Sequence, residues 1–406
     1  VAACDGRAEL PSPDSLGVER IELALPVCAP AARPLRVDTV ATGLEVPWDV
    51  AFVSDGRALV TERPGRIRVV SAEGQLLEEP WATLDVYGPP GSEVGLLGID
   101  TREESGDSLE VYVSATVQRA GGSSAARLLR GIVRRIARAI DPERGQAITL
   151  QVVRLVEREG RGADATPVVS GLPSASLHGG GPLRFGPDGF LYVANGDGTD
   201  PPSAQRAGSL RGKILRYAPD GSVPRSNPTP TSPVFASGVR HVQGLGWLPG
   251  TGELLAIDHG PTGLAVEGGR TDQDELDVVD PGANLGWPIV SGATRGGPLV
   301  SPIVVWTPAL APAGLAVYGH GGSAWQRSVF VTGLRGASLR RIALERTATG
   351  PVAVCEEILF ANEYGRLRLV RAAPDGTLWV GTSNRDGRGV PRPSDDLVLR
   401  VHPPQS

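Results

Sequence analysis

The residues best suited to chemistry begin at His178, in the stretch SLHGGGPLRFGPDG (176–189), one of five histidines in a chain of 406 residues. Three glycines follow it, and then a strand that turns at Pro-Asp-Gly. An imidazole titrates near physiological pH, so it is a natural general base for taking a proton from a hydroxyl. Glycines beside it would let backbone and a flat ligand approach without a side chain in the way. Asp197, in NGDG after the next strand, is placed to hold that imidazole in one tautomer. Spacing alone leaves another option open, a loop histidine satisfied by backbone and an aspartate serving a turn.

Arginines supply a complementary charge. Arg240 lies in GVRHVQGLGW, Arg335 in GLRG, and Arg366 and Arg368 in GRLRLV. Residues two apart on a strand share a face, so the last two reach the same space. Four guanidinium groups converging on one place suit a ligand with several carboxylates or phosphates, because each offers a planar fork of donors. Salt bridges to some of the 45 acidic residues are the competing use.

Asp258-His259-Gly260-Pro261 follows a further strand, and Gly260 and Pro261 offer main-chain carbonyl oxygens of the hard kind that Ca²⁺ accepts. The acidic run DQDELD (272–277) lacks the spacing of an EF-hand loop and reads as a solvated strand edge. Zinc is disfavoured at His259, because no second histidine or cysteine stands at ligand spacing. The chain also lacks a GxSxG nucleophile motif, a P-loop and a dinucleotide-binding GxGxxG.

These loops need a scaffold to position them, and the chain supplies one by repeating itself. Strand, tight turn and strand recur at 48–62, 95–114, 181–195, 244–258, 314–333 and 369–382. Several units continue into a third strand with a glycine or alanine at its start and arginine within it: GRIRVV, GKILRY, ASLRRI. Antiparallel units that cannot bury both faces alone fit radial repetition, so the expected fold is an all-β, six-bladed β-propeller of four-stranded antiparallel blades. A pair of β-sandwich domains is the rival, disfavoured by the lack of a mid-chain linker. The expected domain spans 35–403, with 35–42 pairing with DDLVLRVH to close the ring, after a leader at 1–34. The stretch ARLLRGIVRRIARAI (126–140) has the arginine spacing of a basic amphipathic helix, but its latter half is assigned to the third strand of the second unit. Connections at 87–95, 159–180, 196–210 and 259–285 are long and glycine-rich, and in a propeller such loops gather around the channel at one face.

Composition agrees with that architecture and removes other classes. A hydrophobic content of 40% with 54 glycines and 36 prolines describes a folded, turn-rich chain. A net charge of −5, a pI of 5.7 and scattered basic residues exclude nucleic acid as a partner. No apolar run is long enough to span a membrane as a helix. The opening VAAC resembles the end of a bacterial lipoprotein signal, with a lipid on Cys4; the alternative is a Cys4–Cys28 disulfide that leaves Cys355 free. Either places the protein outside the cytoplasm, in the periplasm or beyond it.

Taken together, LEVPWDVAF, EVGLLG, HGGGPLRFGPDG, VRHVQGLGW, HGP with NLGWP, APAGLAVY, GLRG and GRLRLVRAAPDG resemble the soluble quinoprotein glucose dehydrogenases. The nearest branch is the bacterial aldose sugar dehydrogenases of the glucose/sorbosone dehydrogenase family. The resemblance implies a six-bladed propeller holding pyrroloquinoline quinone (PQQ) and Ca²⁺ at the channel mouth. It also implies that His178 takes the proton from the anomeric hydroxyl of an aldose while hydride passes to the quinone, yielding a lactone. Asp197 would orient His178, and Arg240 would stabilise charge developing on the quinone oxygen. Arg366 and Arg368 would pair with cofactor carboxylates, with Glu93 and Arg335 close by, and Gly260 and Pro261 would offer carbonyl oxygens to the Ca²⁺. A cytochrome or a quinone would carry the electrons away.

The sequence departs from the family pattern in places that bear on the cofactor. Arg240-His241-Val242-Gln243 stands where Arg-Asn-Pro-Gln is common, Arg335 where a lysine is common, and Ala309 where a hydroxyl is common. Leu177 precedes the base in place of Asn or Asp, and Pro182 takes the slot of an arginine. Two functions follow, a quinone-dependent sugar dehydrogenase and a non-catalytic propeller that binds a sugar or protein ligand.

Overall fold

Many strands of this chain are apolar at almost every position, which a sheet with one wet face would not tolerate. In Leu191–Asn195, Leu191 and Val193 pack to one side while Tyr192 and Ala194 pack to the other. Such a strand belongs to a sheet covered on both faces. The structure, a computed structural model describing residues 10–29, 34–103, 108–118 and 148–404, contains six four-stranded antiparallel sheets arranged as the six-bladed propeller the repeats predict.

Blade one is Pro47–Phe52, Ala58–Glu62, Arg66–Val70 and Ala82–Thr83. Blade two is Leu96–Glu103, Leu109–Gln118, Ile148–Arg158 and Arg161–Pro173. Blade three is Leu183–Phe185, Leu191–Asn195, Lys213–Tyr217 and Val234–Ser237. Blade four is Val242–Trp247, Leu254–Asp258, Asp274–Val279 and Val304–Trp306. Blade five is Pro312–Tyr318, Ser328–Gly333, Ser338–Thr347 and Gly350–Leu359. Blade six is Leu367–Ala372, Leu378–Thr382 and Val398–Val401, completed by Val37–Ala41 from the other end of the chain, with Val37 opposite Val401.

The inner strands of successive blades touch in a closed ring, blade six against blade one. Close approach there demands glycine. A Cβ on Gly98 would come within 2.7 Å of the Gly181 carbonyl, and one on Gly314 within 2.5 Å of the Arg368 carbonyl. Further out, the six largest apolar clusters each fill one gap between neighbouring blades. A fully buried Leu, Ile or Val contributes about 1.5–3 kcal/mol over leaving it exposed, so packing between blades stabilises the ring more than any single sheet does.

The connectivity fixes where chemistry can sit. In each blade the turn from first to second strand lies at one end; the turn from second to third, and the link from fourth strand to the next blade, lie at the other. His178, Asp197, Glu93, Arg240, His259, Arg335, Arg366 and Arg368 lie on or beside connections of the second kind. The Pro-Asp-Gly turns at Asp188 and Asp375 lie at the opposite face.

Some expectations need correction. Most of 159–180 is not a loop: Arg161–Pro173 is the outer strand of blade two, and its repeated register shifts against Ile148–Arg158 erase the alternation a strand would show in sequence. The run DQDELD is not a solvated edge either, because Asp274–Val279 is the third strand of blade four and Asp274, Glu275 and Asp277 are buried. Backbone N–H groups account for two of them: Asp274 accepts from Gly260 and Ala311, and Glu275 from Gly292. The stretch 126–140 lies outside the described residues, and the third strand of blade two is Ile148–Arg158.

The leader is bound to the ring. Glu19–Arg20 pairs with Thr294–Arg295, and Leu16 and Val18 pack on Ile289, Val290 and Leu299. Cys28 is bonded to Cys355 on the outer strand of blade five, so neither the Cys4–Cys28 pairing nor a free Cys355 holds. Beside that bond Cys28 N–H donates to the Glu356 carbonyl, and Glu356 N–H to that of Pro26. Cys4 lies outside the described residues. Among the described residues no helix is long and apolar enough to cross a membrane.

Candidate active site

His178 sits where the chain leaves blade two for blade three, with a left-handed backbone, φ 52°. A non-glycine residue rarely holds that conformation unless its surroundings impose it. Here its N–H donates to Glu93 Oε2 (2.9 Å), and its carbonyl accepts from Gly198 N–H (3.2 Å). The imidazole is buried, with Nδ1 2.8 Å from Asp197 Oδ1. Asp197 cannot donate while ionised, so Nδ1 carries the proton and Nε2 keeps the lone pair, with no partner among the described residues. Burial works against the Asp197 charge, but His178, the Arg240 guanidinium and the Thr199 N–H outweigh it and hold the carboxyl below its usual range.

The glycines after His178 serve packing rather than ligand access. A Cβ on Gly179 would meet Val94 at 2.5 Å, one on Gly180 the Ala194 carbonyl at 2.8 Å, and one on Gly181 Leu97 at 2.8 Å. They let the loop run tight against blade two and its own neighbouring strand.

His178 lines a cavity of about 340 Å³ whose wall includes Trp48, Glu93, Leu177, Arg240, His241, His259, Arg335, Arg366, Arg368 and Arg388. Among the described residues, Glu93 is the only acid on that wall, against five arginines. Arg366 and Arg368 share Asp386, at 2.8 and 3.5 Å, and the guanidinium carbon of Arg368 lies over Trp48, 3.9 Å from the ring centroid. Burial pushes Arg368 down to about 10, offset by Asp386 and reinforced by Arg366 and Arg63. Arg335 is exposed at the rim with no side-chain bond among the described residues. Arg388, which the sequence reading passed over, joins Glu93 at 2.8 Å.

Arg240 is committed on three sides, to Glu267 (2.5 Å), the His259 carbonyl (2.8 Å) and Thr262 Oγ1 (3.1 Å). It therefore fixes the loop carrying Gly260 and Pro261. Those two residues border a smaller cavity beside the first, shared with Arg240, Asp258, Glu275 and Trp287. Among the described residues no cluster of three or more His, Cys, Asp or Glu side chains is placed to hold a metal, so side chains alone do not make a cation site here. Asp258, raised to about 6 by burial, accepts from the N–H groups of Arg240 and His241 and so sets that turn.

His241 stacks on His178 at 5.3 Å between centroids and lies 3.4 Å from Glu93. Burial drives it below the usual histidine range, against the pull of Glu93. Ala309 is buried, and the cavity wall nearby is formed by Ala311 and Pro312. The sequence reading also missed Trp287, whose indole N–H donates to Asp197 Oδ2 at 2.9 Å, and Glu267, which anchors Arg240. Trp287 stood in the quoted NLGWP without a role, and its reach to Asp197 across 90 residues leaves no trace in local spacing.

An Asp-held histidine base beneath an arginine-rich cavity can take a proton from a hydroxyl while an anionic, flat partner is gripped beside it. Comparison with known proteins points the same way. Residues 44–392 match the glucose/sorbosone dehydrogenase family. The aldose sugar dehydrogenase YliI of Escherichia coli is 25% identical over 88% of this chain and 92% of its own length. Among solved structures, an oxidoreductase of Thermus thermophilus described as a glucose dehydrogenase superposes with a TM-score of 0.75 at 37% identity, covering 91% of this chain and all of its own. The PQQ-bound aldose sugar dehydrogenase of Streptomyces coelicolor superposes with a TM-score of 0.73 at 32% identity, covering 92% of this chain and all of its own. The chain belongs to the glucose/sorbosone dehydrogenase family.

Proposed function

We propose that the protein is a PQQ- and Ca²⁺-dependent sugar dehydrogenase that oxidises the anomeric hydroxyl of an aldose to a lactone. The observation that carries this reading is the His178–Asp197 pair lining a cavity with five arginines and one acid. That excess of cation fits a tricarboxylate: Arg335 has no side-chain partner among the described residues, Arg366 and Arg368 share Asp386, and the Arg368 guanidinium lies over the Trp48 ring. Gly260 and Pro261 would give carbonyl oxygens to Ca²⁺. When bound, the quinone with its Ca²⁺ supplies the electrophile that accepts hydride from the anomeric carbon. His178 Nε2 takes the hydroxyl proton, and the Asp197 carboxylate holds the imidazolium that results. Arg240, held by Glu267, keeps a positive charge at the wall where negative charge would develop.

A cytochrome or a quinone would collect the electrons. The Cys28–Cys355 bond favours an oxidising compartment, so the protein would work in the periplasm or outside the cell. A lipid on Cys4 would hold it at a membrane surface, which the intact mass of the mature protein tests.

The alternative, a propeller that binds a sugar or protein without redox chemistry, draws on His241, whose imidazole stacks on the base where the family pattern has an amide. Titrating the protein with PQQ in the presence and absence of Ca²⁺ separates the two. Calcium-dependent quenching of tryptophan fluorescence is expected, since Trp48 lines the cavity. Absence of any saturable binding would leave the non-catalytic reading.

A further inference from the structure

The base is oriented by Asp197, and Asp197 has one oxygen that its own blade leaves unpaired. Oδ1 takes both His178 Nδ1 and the Thr199 N–H, whereas Oδ2 is bonded by Trp287 Nε1 at 2.9 Å. The Asp197 side chain is wholly buried, so water does not substitute for that donor from bulk.

Trp287 is held from several directions. Its N–H donates to the Gly238 carbonyl (2.9 Å), and its carbonyl accepts from Gln205 Nε2 (2.7 Å). Its ring lies 4.8 Å from the Arg270 guanidinium and 5.8 Å from that of Arg240. On the outer side, Ile289, Val290 and Leu299 of the same loop pack against Leu16 and Val18 of the N-terminal segment. That segment is fastened just after the contact. Ile21 N–H donates to the Ala293 carbonyl, Glu19–Arg20 pairs with Thr294–Arg295, and Cys28 is bonded to blade five.

We propose that Trp287 is a positioning residue for the His178–Asp197 pair, and that the N-terminal segment 10–28 clamps the loop that carries it. A carboxylate fixed through both oxygens presents Oδ1 to His178 in one direction. With Oδ2 buried and unpaired, the carboxylate would turn to seek another donor and release the imidazole. The kinetic consequence rests on the dehydrogenase reading, but the geometric one does not.

The test is Trp287→Phe, which keeps a ring of similar shape and removes the N–H. In histidine-selective ¹⁵N NMR of the cofactor-free protein, wild-type His178 is expected as a single Nδ1–H tautomer and the variant as a mixture. In the loaded enzyme the variant should lose about tenfold or more in kcat with KM within about twofold, since the group removed orients the base and not the sugar. A variant that keeps the single tautomer overturns the proposal, whether or not any aldose is oxidised. If Trp287→Phe does not fold, Val18→Ala carries the test, because it loosens the clamp and leaves every hydrogen bond of Trp287 in place. Faster hydrogen exchange at the Trp287 indole is then expected, and an unchanged rate contradicts the clamp.

Discussion

His178 combines a backbone conformation that few side chains adopt with an imidazole anchored at one nitrogen. Both restrict it to one orientation, which is what a base needs and a surface loop residue does not. Asp197→Asn keeps the shape of that anchor but presents an N–H or a weaker acceptor to Nδ1. We expect kcat to fall by about 10²-fold or more with little change in KM, measured by dye-linked turnover. Arg335 and Arg368 make a contrasting pair. Arg335 is exposed and has no side-chain partner among the described residues, so Arg335→Ala should weaken PQQ binding by about tenfold while leaving the melting temperature unchanged. Arg368 is buried against Trp48 and Asp386, so Arg368→Ala should lower both affinity and stability. Calorimetry of the two variants with and without cofactor checks this. That His178, Arg240, Arg335, Arg366 and Arg368 would gather in one place was legible in sequence, because each stood in a short motif at the end of a strand. The purpose of the glycines beside His178 was not, since their neighbours Val94 and Leu97 belong to another blade.

At the scale of elements, six repeats of one hairpin pattern announced the blades, and the closure by Val37–Ala41 on Val398–Val401 followed from the need to hide two edges. Where a strand departed from the pattern, legibility failed. Arg161–Pro173 carries glycine, proline and several register shifts, and Asp274–Val279 carries three buried acids, two of which, Asp274 and Glu275, take their donors from distant loops. Half-cystine pairing was likewise hidden, because Cys28 and Cys355 stand 327 residues apart. That bond joins the N-terminal segment to blade five. Its removal in Cys28→Ser/Cys355→Ser should lower stability by about 2–4 kcal/mol and, through the clamp, reduce turnover more than cofactor affinity. Thermal melts and kcat of the double variant test the two effects separately.

For the molecule as a whole, the acids facing the gap between blades three and four set a pH dependence. Burial raises Glu275 to about 8, with Asp258 and Asp274 adding to it, and raises Asp277 well above the usual carboxylate range, with Glu275 and Asp258 adding to it. Among the described residues, neither oxygen of Asp277 has a hydrogen-bond partner. Unfolded, both groups lose their protons near pH 4; folded, they keep them to much higher pH, so the native state binds more protons and stability falls as pH rises through that window. Buried His241 and His259 are lowered from 6.5 and act in the opposite sense, but only as pH falls below that value. Between pH 7 and 8 the carboxylates decide. Asp277→Asn should therefore raise the melting temperature at pH 8 by about 2–4 °C and flatten its decline between pH 7 and 8, as scanning calorimetry would show.

On the proposed function, this propeller uses His178 to oxidise an aldose on a quinone. The most direct measurement mixes the protein with PQQ and Ca²⁺ and follows the quinone absorbance as aldoses are added, for the wild type and for His178→Ala. Bleaching by at least one aldose in the wild type, and retained PQQ binding without bleaching in the variant, is the predicted result. Bleaching at the same rate in both, or bound quinone that no aldose reduces in the wild type, would contradict the account.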